Sequence, residues 1–167
     1  MTTDLAPVRW AAAYLADQFI CVQTYSSRRA AAADPLGRVF FLPLQCSNQE
    51  LGNALEEALE ASRQLSKEEA DRFFEARAME QRYEEWVDSM MQRFGYKSRR
   101  HLFTGMKRCT VDLRDGVITI RPTRHDEAES WSGGGIEKES YVKVPVAAGS
   151  GDIGAGLREG FARCKEV

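Results

Sequence analysis

Histidine, cysteine and proline are scarce in this 167-residue sequence, which has two, four and five of them. No C-x-x-C pair occurs: Cys21, Cys46, Cys109 and Cys164 are far apart along the chain, each in or beside an apolar stretch. They read as small buried hydrophobes, not as metal ligands or a disulfide frame, and point to a reducing compartment. No stretch reaches the roughly 18 apolar residues of a membrane helix. A secretory leader is not expected either. The Ala-rich residues 1–15 carry Asp4 early and Arg9 in their middle, whereas a leader has its positive charge before its apolar run. Residues 1–16 read as a short helical or poorly ordered N-terminal extension to a single domain over 17–167, and the expected location is the cytoplasm. Internal repeats and low-complexity tracts are missing as well.

The residues present suit a globular chain. Hydrophobic residues are 43% and charged residues 29%, ordinary proportions for a folded domain, and a chain of this length buries a core without staples. Phe19-Ile20-Cys21-Val22-Gln23-Thr24-Tyr25 is apolar on both alternating sets, as in a strand covered on both faces. Asp34-Pro35-Leu36-Gly37 marks a turn, and Val39-Phe40-Phe41-Leu42 reads as a second strand, stopped by Pro43. Ser47 and Glu50 match a capping box. Behind them Leu51, Ala54, Leu55, Ala58 and Leu59 fall on one helical face, with Glu56, Glu57 and Glu60 pointing away. Ser66 and Glu69 repeat the capping pattern ahead of Phe73 and Phe74. Met79, Tyr83, Trp86, Val87, Met90 and Phe94 then follow at helical spacing up to Gly95, a left-handed stop.

Asp115-Gly116 between residues 110–114 and 117–121 predicts a hairpin with a two-residue type I′ turn. Its register pairs Leu113 with Ile118 and Val111 with Ile120. A glycine-rich loop is expected over 122–138, a strand over 141–144, and a final helix capped by Ser150 with Ile153, Leu157, Phe161 and Cys164 as its buried stripe. The order argues for an α+β fold: a small, mostly antiparallel sheet of about five strands with a central helical block and a C-terminal helix.

His125, Asp126 and Glu127 are the densest chemistry in the chain. They could serve as an acid–base group or a metal triad, but consecutive side chains on an extended backbone point in different directions, and His101 is the one other histidine. The glycines 133–135 lack the P-loop spacing and precede no helix that could hold an anion; they read as a tight turn with Trp131 packed beneath. No catalytic residue, metal or cofactor is expected, and the chain is not read as an enzyme.

Charge is segregated. Residues 49–88 hold 12 Asp and Glu against 5 Lys and Arg, and residues 89–125 hold 9 Lys and Arg against 2 acids. Such runs are usually solvated faces, yet a single-sign surface also steers a partner of opposite charge. The basic block could instead track a phosphate backbone, although its aromatics Phe94, Tyr96 and Phe103 read as core and no stacking platform is present.

Several pieces together resemble the contact-dependent growth inhibition (CDI) immunity proteins. They run from Tyr83-x-x-Trp86-Val87 into Met90-x-x-Arg93-x-Gly95-Tyr96-Lys97, then Leu102-Phe103 and Met106-Lys107-x-Cys109. They continue through Ile118-Thr119-Ile120-x-Pro122-Thr123-Arg124-His125 and Trp131-Ser132-Gly133-x-Gly135-Ile136 to Ile153-Gly154. The resemblance spans about residues 18–165; residues 1–16 and 28–35 look like additions to it. It implies a cytosolic antidote that binds and neutralises the C-terminal toxin domain, commonly a nuclease, of a large exported effector. Trp86, Gly95, Pro122, Arg124, His125, Trp131, Ser132, Gly133 and Gly135 would then belong to the scaffold. The expected partner is that toxin domain, with neither membrane nor nucleic acid. Its interface candidates are the outward acids of the first helix, Glu56, Glu57 and Glu60, with Glu68, Glu69 and Asp71 nearby, which would cover a phosphate-holding basic surface as a nucleic-acid mimic. The alternatives are a nucleic-acid-binding module built on residues 89–125 and a small hydrolase centred on His125.

Overall fold

A computed structural model describes residues 7–167. It is an α+β fold in three layers, and its centre is the segment the sequence assigns to an appendage. Arg9–Leu15 form strand β1, antiparallel to β2 (Phe19–Ser27) on one side and β5 (Lys107–Arg114) on the other, with Trp10 opposite both Tyr25 and Asp112. The expected helical or disordered extension is thus corrected over 9–15, while residues 1–6 lie outside the described residues. Alanine favours helix locally, but here tertiary packing decides. Ala13 is buried in the core on one face of the sheet and Ala12 in the core on the other, so small side chains let layers close on both sides of one strand.

The main sheet has seven strands in the order β3-β2-β1-β5-β6-β9, with β4 also on β2. Strands β3 (Ala31–Ala33) and β4 (Val39–Pro43) share the free edge of β2, pairing with its far and near halves. The hairpin of β5 and β6 (Val117–Pro122) has the register expected from Asp115-Gly116, whose φ values are 52° and 74°. Strand β9 (Val142–Pro145) closes the sheet. The segment expected as a loop instead supplies β7 (Arg124–Glu127) and β8 (Ser130–Ser132), which join β10 (Lys165–Glu166) in a second, three-stranded sheet. Its charged residues have little strand propensity and hid it. Among the described residues the main sheet has seven strands against the about five expected, and its antiparallel character holds, the parallel pair β10–β7 lying in the second sheet.

Helix α1 (Asn48–Glu60) and α2 (Lys67–Phe73) each begin with a complete capping box, Ser47 with Glu50 and Ser66 with Glu69. The five apolar residues of the α1 stripe are all buried. Helix α3 (Ala76–Phe94) ends at Gly95 with φ 71°. A short α4 (Arg99–Phe103), too brief to show a period, follows under a Ser98 cap. Helix α5 (Ser150–Ala162) closes the fold. Ser150 is not its cap: Gly149, at φ 94°, holds that place, and the Ser150 hydroxyl donates to Glu56 at 2.6 Å.

Helices α1 and α5 cover one face of the sheet over Ile20, Val22, Val111, Ile118 and Ile120. Helices α3 and α4 cover part of the other over Ala12, Tyr14, Phe19 and Cys21. There Phe94 stacks on Phe19 at 4.0 Å between centroids, worth about 0.5–1.5 kcal/mol beyond area burial. The glycines that weaken α5 as a sequence helix let it pack. A Cβ on Gly154 would lie 1.9 Å from the Asn48 carbonyl oxygen, and one on Gly52 would lie 1.8 Å from that of Ser150. Arg158 reinforces the contact by donating to Asn48 Oδ1 at 2.9 Å. Gly154→Ala must push the two helices apart and is expected to destabilise the fold by about 2–3 kcal/mol, read as a lower urea midpoint at unchanged slope. An unchanged midpoint would contradict the contact.

Candidate partner-binding surfaces

Where α3 and α4 do not cover the sheet, an open cavity of about 740 Å³ remains between α3, the β2–β3–β4 end of the sheet and β8. Six aromatic side chains line it: Tyr14, Tyr25, Phe41, Tyr83, Trp86 and Trp131. Strand register builds its floor. Tyr14 on β1 faces Arg108 on β5 directly, while Tyr25 lies on β2, the other neighbour of β1. The Arg108 guanidinium lies 5.8 Å from both tyrosine ring centroids and donates to the Tyr25 hydroxyl at 3.2 Å. The two tyrosine hydroxyls are 2.9 Å apart, and burial pushes the Tyr14 phenol well above its ordinary range. Arg108 Nε and Trp86 Nε1 have no protein partner among the described residues.

Two ionic clamps frame the cavity. Arg99 of α4 bridges Glu84 of α3 and Glu129 of the β7–β8 turn, each at 2.6 Å, and Tyr83 also donates to Glu129. At the other end Asp34, its side chain fully buried, accepts two bonds from Arg63 at 2.8 and 3.0 Å and one each from Ser26 and the Leu36 N–H. Burial alone would raise the Asp34 carboxyl; the bonds from Arg63, Ser26 and Leu36 outweigh it and hold it below its ordinary value. Arg63 lies between α1 and α2 and also reaches Glu69 at 3.0 Å.

The His125 candidates diverge. His125 is buried, stacked on Trp131 at 4.9 Å, with Nε2 2.9 Å from the Ala128 carbonyl and Nδ1 3.3 Å from Glu166. Asp126 turns to Arg124 at 2.6 Å, and Glu127 is exposed. His125 therefore serves as packing between β7, β8 and β10. Trp131 donates to the Met106 carbonyl at 3.0 Å, Arg124 lies against Gly134, and Gly135 takes φ 71°, a position that suits glycine. His101 is exposed and 3.3 Å from Asp17. Among the described residues no group of three or more His, Cys, Asp or Glu is placed to hold a metal ion.

Five of the nine basic residues of residues 89–125 are engaged within the fold. Arg93 lies over Phe41, Arg99 and Arg108 are engaged as above, and Arg121 and Arg124 pair with Asp112 and Asp126. The acidic block is split, because α1 and α3 cover opposite faces of the sheet. Of the six acidic candidates, Glu56 is half-buried and held by Ser150, and Glu69 is held by its cap and Arg63. Glu57, Glu60, Glu68 and Asp71 are exposed, Glu57 with Arg38 at 3.9 Å. Sequence reasoning missed the cavity and its Arg108–Tyr14–Tyr25 floor, which needs the register of strands nearly a hundred residues apart. The turn at Asp34 was its one legible corner.

Residues 9–164 match the family described as CdiI, CDI immunity protein. The chain is 36% identical to the immunity protein CdiI-YPIII of Yersinia pseudotuberculosis, covering 97% of this chain and 98% of that protein. Its fold matches a chain of a solved CdiA-CT/CdiI toxin and immunity complex from Yersinia pseudotuberculosis with a TM-score of 0.89. That match is 35% identical and covers 97% of this chain and 100% of the other. A Neisseria meningitidis protein of unknown function matches with the same TM-score of 0.89, at 33% identity over 99% of this chain and 100% of that one.

Asp34 anchors one rim of the cavity, so Asp34→Ala should destabilise the chain by about 2–3 kcal/mol near neutral pH. A carboxyl lowered by folding contributes stability above its unfolded pKa and loses it as pH falls through its folded value. The gap between wild type and variant in urea unfolding should therefore narrow on acidification below the ordinary carboxylate range. A gap that stays constant would contradict the charged role of Asp34.

Proposed function

This chain belongs to the CDI immunity protein family, and we propose that it binds and neutralises the C-terminal toxin domain of a CdiA-type effector, protecting the cell that makes both. The observation that carries this reading is the end-to-end likeness to a chain of a toxin and immunity complex. The relevant compartment is the cytoplasm, consistent with four free cysteines and with no helix among the described residues long and apolar enough to cross a membrane. The chain acts as an inhibitor, without a reaction of its own.

The toxin on this reading is a nuclease, and neutralisation is occlusion. A nuclease is basic where it holds phosphates, and a surface of fixed carboxylates can cover that region. Glu57, Glu60, Glu68 and Asp71 form the contact, and Glu56 and Glu69 support it through Ser150 and Arg63. Helices α1 and α2 present these acids from one continuous stretch, each held at its start by a capping box, so little ordering is left to be done on binding. Outer charges of this kind act mainly on the association rate. A standard interface buries roughly 1,600 Å² in total, more than four carboxylates supply, so apolar anchors must add to them.

Cells expressing the toxin domain should grow when this chain is co-expressed and arrest without it; arrest in the presence of the folded chain would refute neutralisation. The triple variant Glu57→Lys, Glu60→Lys and Glu68→Lys should associate about tenfold more slowly at low salt, with a flatter salt dependence. Stopped-flow rates equal to wild type would rule out the acidic face and leave neutralisation standing.

A further inference from the structure

Two cysteines 55 positions apart meet where α5 reaches the sheet, and nothing in toxin binding uses them. Cys109 lies in β5, fully buried, on the face that α5 covers. Cys164 follows the end of α5 and is partly exposed. Their Sγ atoms are 3.8 Å apart. Gly160 lets α5 lie close to the sheet here: a Cβ on it would stand 2.6 Å from Ile120 Cγ2 and 3.3 Å from Cys109 Sγ. The next residue is anchored by Lys165 N–H donating to the Thr123 carbonyl at 3.0 Å.

We propose that Cys109 and Cys164 are a peroxide-responsive thiol pair that closes to a disulfide, tethering the end of α5 to β5. The Cys164 thiolate attacks one oxygen of hydrogen peroxide. The O–O bond breaks, hydroxide leaves and takes up a proton as water, and Cys164 becomes a sulfenic acid. Cys109 then gives up its proton, its sulfur attacks Cys164 Sγ, the S–O bond breaks, and the departing hydroxide takes that proton as a second water. Two thiols and one peroxide thus yield one disulfide and two waters. The sulfurs must close to roughly 2.05 Å, with Cys164, which lies beyond the last helical turn of α5, moving toward the strand that holds Cys109.

The order of attack follows from access, since Cys164 is partly exposed and Cys109 is fully buried. A hydrogen bond from Cys109 brings the Cys164 thiol down to about 7, against its partial burial and with help from the Thr123 backbone and Lys107. The same bond, with burial, pushes Cys109 up. A thiol near ambient pH combines thiolate fraction with nucleophilicity. Burial pushes Cys21 up to about 12 and also raises Cys46, so those two are internal controls. The tether would also secure β10, which pairs with β7 directly after Cys164.

The test is hydrogen peroxide treatment of the reduced full-length chain, followed by thiol counting and non-reducing peptide mapping. The four thiols should fall to two, with one peptide linking Cys109 to Cys164. The melting midpoint should rise by about 5–15 °C and return on adding dithiothreitol. Cys109→Ser should stop at a sulfenic acid on Cys164 that dimedone traps, and Cys164→Ser should slow oxidation at least tenfold. Four thiols remaining, Cys21 or Cys46 oxidising as fast, or Cys164 over-oxidising without a link to Cys109 would each overturn the proposal.

Discussion

Strand β1 is paired along both edges, with six residues of β2 on one side and seven of β5 on the other. The path β3-β2-β1-β5-β6-β9 runs through it, so without β1 the N-terminal hairpins and the C-terminal half of the sheet are no longer one sheet. Alanines at 11–13 matter because they are small. They bring a helical layer close to each face, and any long side chain there would have to displace α1 or α3. The helices then constrain each other, since α1 and α5 meet at backbone distance through Gly52 and Gly154.

The candidate surfaces inherit this arrangement. Tyr14, Tyr25 and Arg108 converge because β1 lies between the strands that carry the other two, and the cavity above them exists because α3 covers only part of that face. Its rims are held by charge, through Arg99 at one end and Arg63 at the other. Arg63 links two levels of the structure, holding the β2–β3 edge through Asp34 and the start of α2 through Glu69. A surface that must meet a partner without rearranging gains from such cross-bracing, because ordering already done in folding is not charged against association.

Local signals were readable wherever local chemistry decides. The Asp115-Gly116 hairpin, both capping boxes, the α1 stripe and the Gly95 stop follow from side-chain bonding and φ preference over a few residues, and all are present. The failures share a cause. Arg9–Leu15 has the composition of a helix and is a strand because two neighbours pair with it. Residues 124–132 are polar and glycine-flanked, yet form strands because β10 arrives from the far end of the chain and His125 stacks on Trp131. Charge segregation was visible as a count, but the fold divides the acidic block between two faces and consumes much of the basic one internally. The family motif was legible as well; within it Gly95 and Gly135 take positive φ, Pro122 and His125 are buried, and Trp131 stacks on His125. Glu57, Glu60, Glu68 and Asp71 remain exposed carboxylates.

Direct binding is the premise of neutralisation, and titration calorimetry of the purified chain against the purified toxin domain of its own effector tests it most plainly. Neutralisation by occlusion predicts a saturable complex with one chain per toxin domain and a Kd in the nanomolar range or tighter. It also predicts a negative heat-capacity change from the apolar surface buried at the anchors. Absence of saturable binding, with both proteins folded, would contradict it.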